Sequence, residues 1–313
     1  MPTALKIFTG NSNKALAYEI AGHLGMECGN IEVGSFPEGE IRVKINENVR
    51  GADVFVVQST CSPVNDSLME LLIMIDAFKR ASAQRITAVI PYYGYARQDR
   101  KDQPRVPITA KLTANLITVA GADRLLTMDL HAGQIQGFFD IPVDHLKAAP
   151  VLSDYFKKKN LKDVVVASTD VGGIKMARDF AERLGTSLAI VDKRRMGDSE
   201  VEAMSLIGDV KGKNVVIPDD MIATAGTLLE ATRFLKKQGA LDLYATASHA
   251  VFAPPAISRI KEMQVKEIVV TDTVPIRHSG ELKGKVQVLS VAPLFADVIN
   301  RIHKDESVST LFQ

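Results

Sequence analysis

An α/β fold with mostly parallel sheets is predicted by three features of this 313-residue chain. Short apolar runs alternate with helical patterns along its length. The runs are apolar at consecutive positions rather than at every second one, the mark of strands buried on both faces. Strands separated by helices imply βαβ units.

In chain order, strands are expected at Lys6–Thr9, Val54–Gln58, Ile86–Pro91 and Leu125–Met128, then at Val164–Ala167, Leu188–Val191, Val215–Ile217, Leu243–Ala247 and Ile268–Thr271. Between them, Leu68, Leu71, Leu72 and Ile75 fall on one helical face, and Leu228, Leu229, Thr232 and Leu235 repeat the pattern. Pro142 and Pro150 bracket a boundary, and the strand–helix cycle restarts at Val151. Two domains, 1–148 and 149–313, are therefore expected. The stretches 121–139 and 212–231 echo each other as apolar strand, acid, small-residue turn and helix, so the halves are expected to share a design.

Bulk composition narrows the function. Apolar residues make up 46% and charged residues 24%, values of an ordinary globular chain. A net charge of +1 provides no global field to recruit nucleic acid or an anionic membrane. Anion binding must then come from local clusters. Cys28 and Cys61 lack metal-ligand spacing, which argues against a disulfide framework and a zinc site and fits a reducing, cytoplasmic setting. The N-terminus has no apolar core of a signal peptide. The strongest apolar stretch, Leu68 to Phe78, is interrupted by Glu70 and Asp76 and is too short to cross a bilayer.

The most informative segment is 213–231, KNVVIPDDMIATAGTLLEA. Val215, Val216 and Ile217 lead into Asp219 and Asp220, then a turn of Ala223, Thr224, Ala225, Gly226 and Thr227, then a helical pattern. A strand ending where a helix begins leaves free backbone N–H groups and a positive dipole end at the turn. Small residues let a phosphate approach them. The two acids would repel that phosphate, so they suit a different part of the ligand: hydroxyls for the carboxylates and phosphate for the amides, as in a sugar phosphate. The same pattern taken alone also describes a capped helix. The segment resembles the phosphoribosyl-pyrophosphate loop of type I phosphoribosyltransferases and their relatives.

Residues 129–144, DLHAGQIQGFFDIPVD, place His131 just past a buried strand, near Asp129. By itself such a histidine is more often structural than a ligand. With its neighbours, the stretch closely resembles the signature of the ribose-phosphate pyrophosphokinase family. The resemblance extends over nearly the whole chain: GSFPEGEIRVKINENVRG (34–51), QSTCSPVNDSLMELL (58–72), PYYGYARQDRK (91–101), RVPITAK (105–111), STDVGGIKMAR (168–178), VDKRR (191–195) and IGDV (207–210). It implies two similar domains like those of type I phosphoribosyltransferases, an N-terminal one for ATP and a C-terminal one for ribose phosphate. The tail from about 293 is expected to pack back on the first domain. The implied reaction transfers the pyrophosphoryl group of ATP to the 1-hydroxyl of ribose 5-phosphate, with Mg²⁺ as cofactor.

The resemblance also assigns roles. Lys193 and Arg195, in a patch that alone reads as a solvated basic turn, would close over the triphosphate and steady charge on the transferring group, Arg195 also reaching the sugar phosphate. His131 and Asp170 match metal ligands; Asp170, before Val171-Gly172-Gly173, equally suits a cap. Phe36 and Arg97 would sandwich the adenine, since arginine stacks on planar rings. Glu38, Gly39, Glu40 and Gln98 would make polar contacts to ATP, although 38–40 alone read as a surface turn. Asp219 and Asp220 would hold the ribose hydroxyls, and the amides of Ala223, Thr224, Ala225, Gly226 and Thr227 the 5-phosphate. An ATP site shared between subunits implies a homo-oligomer, typically a hexamer. The tail around Ser307 and Ser309 looks like the family's regulatory end, implying phosphate activation and ADP inhibition.

The chain departs from the family pattern at several positions. Ala223 replaces an Asp common there, a small loss if the position offers only its N–H. Pro218 replaces an aliphatic residue, fixing φ and removing a donor, which is expected to weaken sheet pairing at the site's edge. Met196 replaces a proline, and Asp102-Gln103-Pro104 is shorter and less basic than usual. Two other functions remain open to sequence: a type I phosphoribosyltransferase, which leaves 34–40, 91–98, 129–139 and 191–195 without purpose, and a non-catalytic regulatory paralogue, which the intact Lys193 and Arg195 disfavour.

Overall fold

The computed structural model describes residues 4–195, 202–277 and 279–309. The chain folds into two compact units, each with its own sheet. The first contains residues up to Lys147, Thr273–Pro275 and residues from Ser290 onward; the second contains Ala148–Asp272 and Ile276–Leu289.

In the first unit, β1 (Leu5–Thr9), β4 (Asp53–Val57), β5 (Arg85–Ile90), β6 (Arg124–Met128) and β7 (Val143–Leu146) form a parallel sheet in the order β1-β4-β5-β6-β7. Every residue of β4 is buried, Asp53 at its start included, as the apolar run from Val54 predicts for a strand covered on both faces. Helices α1 (Lys14–His23), α2 (Val64–Arg80) and α3 (Thr109–Ala120) connect the strands. Leu68, Leu71, Met74, Ile75 and Phe78 form the buried stripe of α2. Removing such side chains from water contributes about 1.5–3 kcal/mol each, and that burial holds the helix to the sheet.

Two antiparallel strands, β2 (Ile31–Ser35) and β3 (Ile41–Ile45), stand apart as a hairpin. They mix half-buried and exposed residues, so a search for continuous apolar runs passes over them. The expected echo between 121–139 and 212–231 is partial. After β6 the chain makes only a six-residue 3-10 helix (Gly133–Phe138), not an α-helix, consistent with the low helix propensity of its two glycines.

In the second unit the sheet order is β10-β9-β8-β11-β12-β13-β14. Its strands are β8 (Val164–Ser168), β9 (Ser187–Arg195), β10 (Glu202–Ile207), β11 (Asn214–Met221), β12 (Leu243–His249), β13 (Glu267–Thr271) and β14 (Val286–Leu289). All pairs are parallel except β9 with β10. Helices α4 (Ala149–Lys159), α5 (Ile174–Leu184), α6 (Gly226–Lys237) and α7 (Ala256–Glu262) link them. From β8 the chain moves to β9 on one side, then returns to place β11 on the other. That reversal opens a crevice at the carboxyl ends of β8 and β11, where open α/β sheets bind ligands.

Pro218 lies inside β11 and stays in register with Thr246 of β12. Pairing of β11 with β8 ends at Val216, two residues earlier, so the donor that proline lacks falls beyond that ladder. The strand runs on to Met221. The last helix, α8 (Ala292–His303), belongs to the first unit and packs on α1.

Candidate active site

The crevice of the second unit collects three carboxylates. Asp170 follows β8, and Asp219 and Asp220 lie near the end of β11. The Gly173 N–H donates to Asp170 Oδ1 at 2.7 Å, the local cap that its sequence context allowed, while Asp170 stays exposed. The Asp220 N–H donates to Asp219 Oδ1 at 2.8 Å, and the Met221 N–H to Asp220 Oδ1 at 2.9 Å. Burial pushes the Asp219 carboxyl well above the ordinary carboxylate range, and the charge and hydrogen bonding of Asp220 and the charge of Asp170 push it further. The amide of Asp220 opposes that rise.

Beyond β11 the chain turns through Ala223, Thr224 and Ala225 into α6. Ala225 holds φ +58°, the left-handed region that a side chain disfavours. The first bond of α6 runs from the Leu229 N–H to the Ala225 carbonyl, so the amides of Gly226, Thr227 and Leu228 have no intrahelical acceptor. Among the described residues, no side chain caps this helix and no acid lies in its first turn. The result is a positive helix end open to an anion. The Arg259 Nη1 donates to the Thr224 carbonyl at 3.0 Å, a contact with no local sequence signal because 35 residues separate the partners.

Lys193 and Arg195 lie near the carboxyl end of β9, opposite Met204 and Glu202 of β10. Their side chains, and Met196 entirely, lie outside the described residues.

In the first unit, Arg97, Gln98 and His131 line one cavity of about 440 Å³, together with Asp99, Arg100 and Asp102. The Gln98 carbonyl accepts the Ala110 N–H at 3.1 Å and so fixes the loop to the start of α3. Gln134 Nε2 donates to Asp99 Oδ2 at 3.2 Å across the same loop. His131 is exposed. Its mount is not: Asp129 is buried with φ +36°, Lys147 Nζ lies 3.3 Å from Asp129 Oδ1, and the Leu130 N–H donates to His145 Nε2 at 2.9 Å. Neither Lys147 nor His145 stands out in sequence, because their partners are set by the pairing of β6 with β7.

Phe36, Glu38, Gly39 and Glu40 form the turn of the β2–β3 hairpin, closed by the Phe36 N–H to the Glu40 carbonyl at 2.8 Å. Gly39 there has φ +96°. The Phe36 ring is exposed, and the Arg42 guanidinium lies 5.9 Å from its centroid. None of the four residues lines the cavity of Arg97, Gln98 and His131. Among the described residues, no cluster of three His, Cys, Asp or Glu side chains is arranged to hold a metal by itself. No helix among them is long and apolar enough to cross a membrane.

Comparison with known proteins gives one consistent result. The family described as the N-terminal domain of ribose phosphate pyrophosphokinase matches residues 5–121, and the phosphoribosyl synthetase-associated domain matches residues 195–313. A ribose-phosphate pyrophosphokinase of Caldanaerobacter subterraneus is 60% identical over 310 residues, covering 99% of this chain and 98% of that protein. One from Clostridium perfringens is 58% identical over 312 residues, covering 99% and 98%. The crystal structure of the phosphoribosylpyrophosphate synthetase from Mycobacterium smegmatis superposes with a TM-score of 0.91 at 42% identity, covering 97% of this chain and 100% of that one.

Proposed function

The chain belongs to the ribose-phosphate pyrophosphokinase family, and on that premise we propose that its first unit holds ATP while its second holds ribose 5-phosphate. The enzyme transfers the pyrophosphoryl group of ATP to the 1-hydroxyl of ribose 5-phosphate, giving 5-phosphoribosyl 1-pyrophosphate and AMP. The anomeric hydroxyl attacks the β-phosphorus and AMP departs. Such a transfer depends on alignment and charge neutralisation more than on covalent help from the protein.

One observation carries the assignment of the sugar site: acids and open amides meet at the switch point of the second sheet. Asp219 and Asp220 accept from the ribose hydroxyls, and the amides of 223–227 take the 5-phosphate. Lys193 and Arg195 steady the transferring group, with Arg195 near the sugar. Arg97 and Gln98 hold the nucleotide beside His131.

The donor set fits Mg²⁺ bound mainly through substrate phosphates. That ion prefers oxygen, keeps several waters and needs few protein ligands, and a divalent cation would relieve the mutual repulsion of Asp170, Asp219 and Asp220. His131 and Asp170 would help to hold it, and it would neutralise phosphate charge.

We assign a homo-oligomer, a hexamer by family, in which a second copy supplies the turn of Phe36, Glu38, Gly39 and Glu40. Two features support this. That turn is absent from the cavity of Arg97, and α3 exposes Leu112, Leu116 and Val119. Regulation by phosphate and ADP is supported by a cavity of about 440 Å³ where Ser307 and Ser309 of the tail meet Arg124. Cys28 and Cys61 form no disulfide, in keeping with a cytoplasmic location.

The test combines purified protein with ATP, Mg²⁺ and ribose 5-phosphate and follows AMP by chromatography. AMP is expected only when the sugar is present. Lys193→Ala is expected to lower kcat about 10²–10³-fold with KM nearly unchanged. Turnover within a few-fold of the parent would remove Lys193 from its role.

A further inference from the structure

We infer that Arg259 is a positioning residue for the 5-phosphate, fixing the Thr224–Ala225 peptide and placing a positive charge beside the turn. This rests on the reading of 223–227 as the phosphate cradle.

Three observations converge on it. First, the Arg259 Nη1 donates to the Thr224 carbonyl at 3.0 Å. In a trans peptide the carbonyl and the following N–H point in opposite directions. Tying the Thr224 carbonyl on one side therefore aims the Ala225 N–H to the other. Second, Ala225 holds φ +58°, an unfavourable state for alanine that the surrounding structure must enforce. The arginine contact is a restraint on that peptide. Third, a Cβ added at Gly226 would lie 3.1 Å from Arg259 Nη1. The guanidinium is thus packed against the first residue of α6, and Gly226 leaves the room for it.

Arg259 is on α7, and among the described residues no acid forms an ion pair with it. A guanidinium has five N–H donors and stays charged at any working pH, so most of its capacity is not spent on the carbonyl. An unneutralised cation held against a phosphate cradle strengthens it electrostatically at no cost in reorganisation when the ligand arrives.

The expected consequence is selective. Losing a hydrogen bond and a charge that act on a phosphate raises KM by about ten- to hundred-fold. In Arg259→Ala the KM for ribose 5-phosphate should rise by that factor, while the KM for ATP and the melting temperature stay within experimental scatter of the parent. Arg259→Lys keeps the charge and Arg259→Gln keeps a donor, so each should recover part of the loss. The Arg259→Lys KM should also be the more sensitive to added salt, because it relies on charge alone.

Asp220→Asn serves as the control for the underlying site. If it raises the KM for ribose 5-phosphate while Arg259→Ala leaves it unchanged, the sugar site stands and the role of Arg259 is wrong. If neither variant changes that KM, the cradle itself is misassigned. Equal losses in both substrates' KM, or a fall in melting temperature that Arg259→Gln does not reverse, would mark Arg259 as structural only and overturn the inference.

Discussion

Asp219 sits in an environment unlike that of a free carboxyl. Burial and two acidic neighbours raise its pKa, so the ligand-free native state binds its proton more tightly than the unfolded chain does. The sign follows from linkage. Between the unfolded pKa of about 3.9 and the raised native value, the folded protein holds more protons, and stability falls as pH rises. Asp219→Asn removes that dependence. Melting curves of the ligand-free enzyme should show the variant gaining on the parent as pH climbs from about 4 through the raised native value, then keeping a constant lead. If Asp219 holds a ribose hydroxyl as proposed, kcat/KM should at the same time drop about ten- to hundred-fold, since a hydrogen-bond acceptor for the sugar is lost. A lead that does not change with pH would show that Asp219 titrates normally.

The turns at strand ends place the candidate site residues, and close backbone contacts set those turns. After β5 the chain passes through Gly94, where a Cβ would lie 2.4 Å from the Thr60 backbone carbonyl. The Gly94 N–H also donates to Thr60 Oγ1 at 2.6 Å, and the Thr60 N–H to the Tyr92 carbonyl at 2.9 Å. This packing leaves no room for a methyl and leads directly to Arg97 and Gln98. Gly94→Ala should cost about 1–3 kcal/mol in chemical denaturation and raise the KM for ATP. Gly34, in β2, has open space for 4 Å around the place a Cβ would occupy, and serves as the tolerant control. Equal behaviour of the two alanine variants would contradict the packing argument. The turn of 129–132 obeys the same logic with polar contacts in place of a steric one: Lys147 and His145 hold the backbone from which His131 projects.

The order of the chain and the membership of its units differ, and buried polar contacts within the first unit explain how. Asp53 begins β4 with its side chain only 2% exposed. Arg85 grips it through two bonds of 2.8 and 2.6 Å, and His303, the last residue of α8, adds Nδ1 to Oδ2 at 2.8 Å. Arg85 also donates to the Ile302 carbonyl at 2.8 Å and to Asp305 at 2.9 Å. One guanidinium thereby fastens the final helix to the sheet of the first unit. Removing it leaves His303 as the remaining partner of the buried carboxylate, so Arg85→Met should cost about 1–3 kcal/mol in urea unfolding. Combining it with Asp53→Asn should return part of that loss. A cost below about 1 kcal/mol would show that the network is not what anchors α8.

Local pattern alone determined a good deal. The continuous apolar runs located β1, β4, β5, β6, β8, β9, β11, β12 and β13, because a strand covered on both faces must be apolar throughout. The 3.6-residue repeat located α2 and α6. The remaining strands were less legible. The β2–β3 hairpin and β14 are partly exposed, β10 mixes polar and apolar residues, and β7 is only four residues long. What periodicity cannot carry is the identity of a partner. That β8 lies between β9 and β11, that α8 returns to the first unit, and that Arg259 meets Thr224 were decided by tertiary packing. Burial of a face is encoded within a few residues, whereas hydrogen bonds and ion pairs between distant segments are chosen only when the whole chain competes for them.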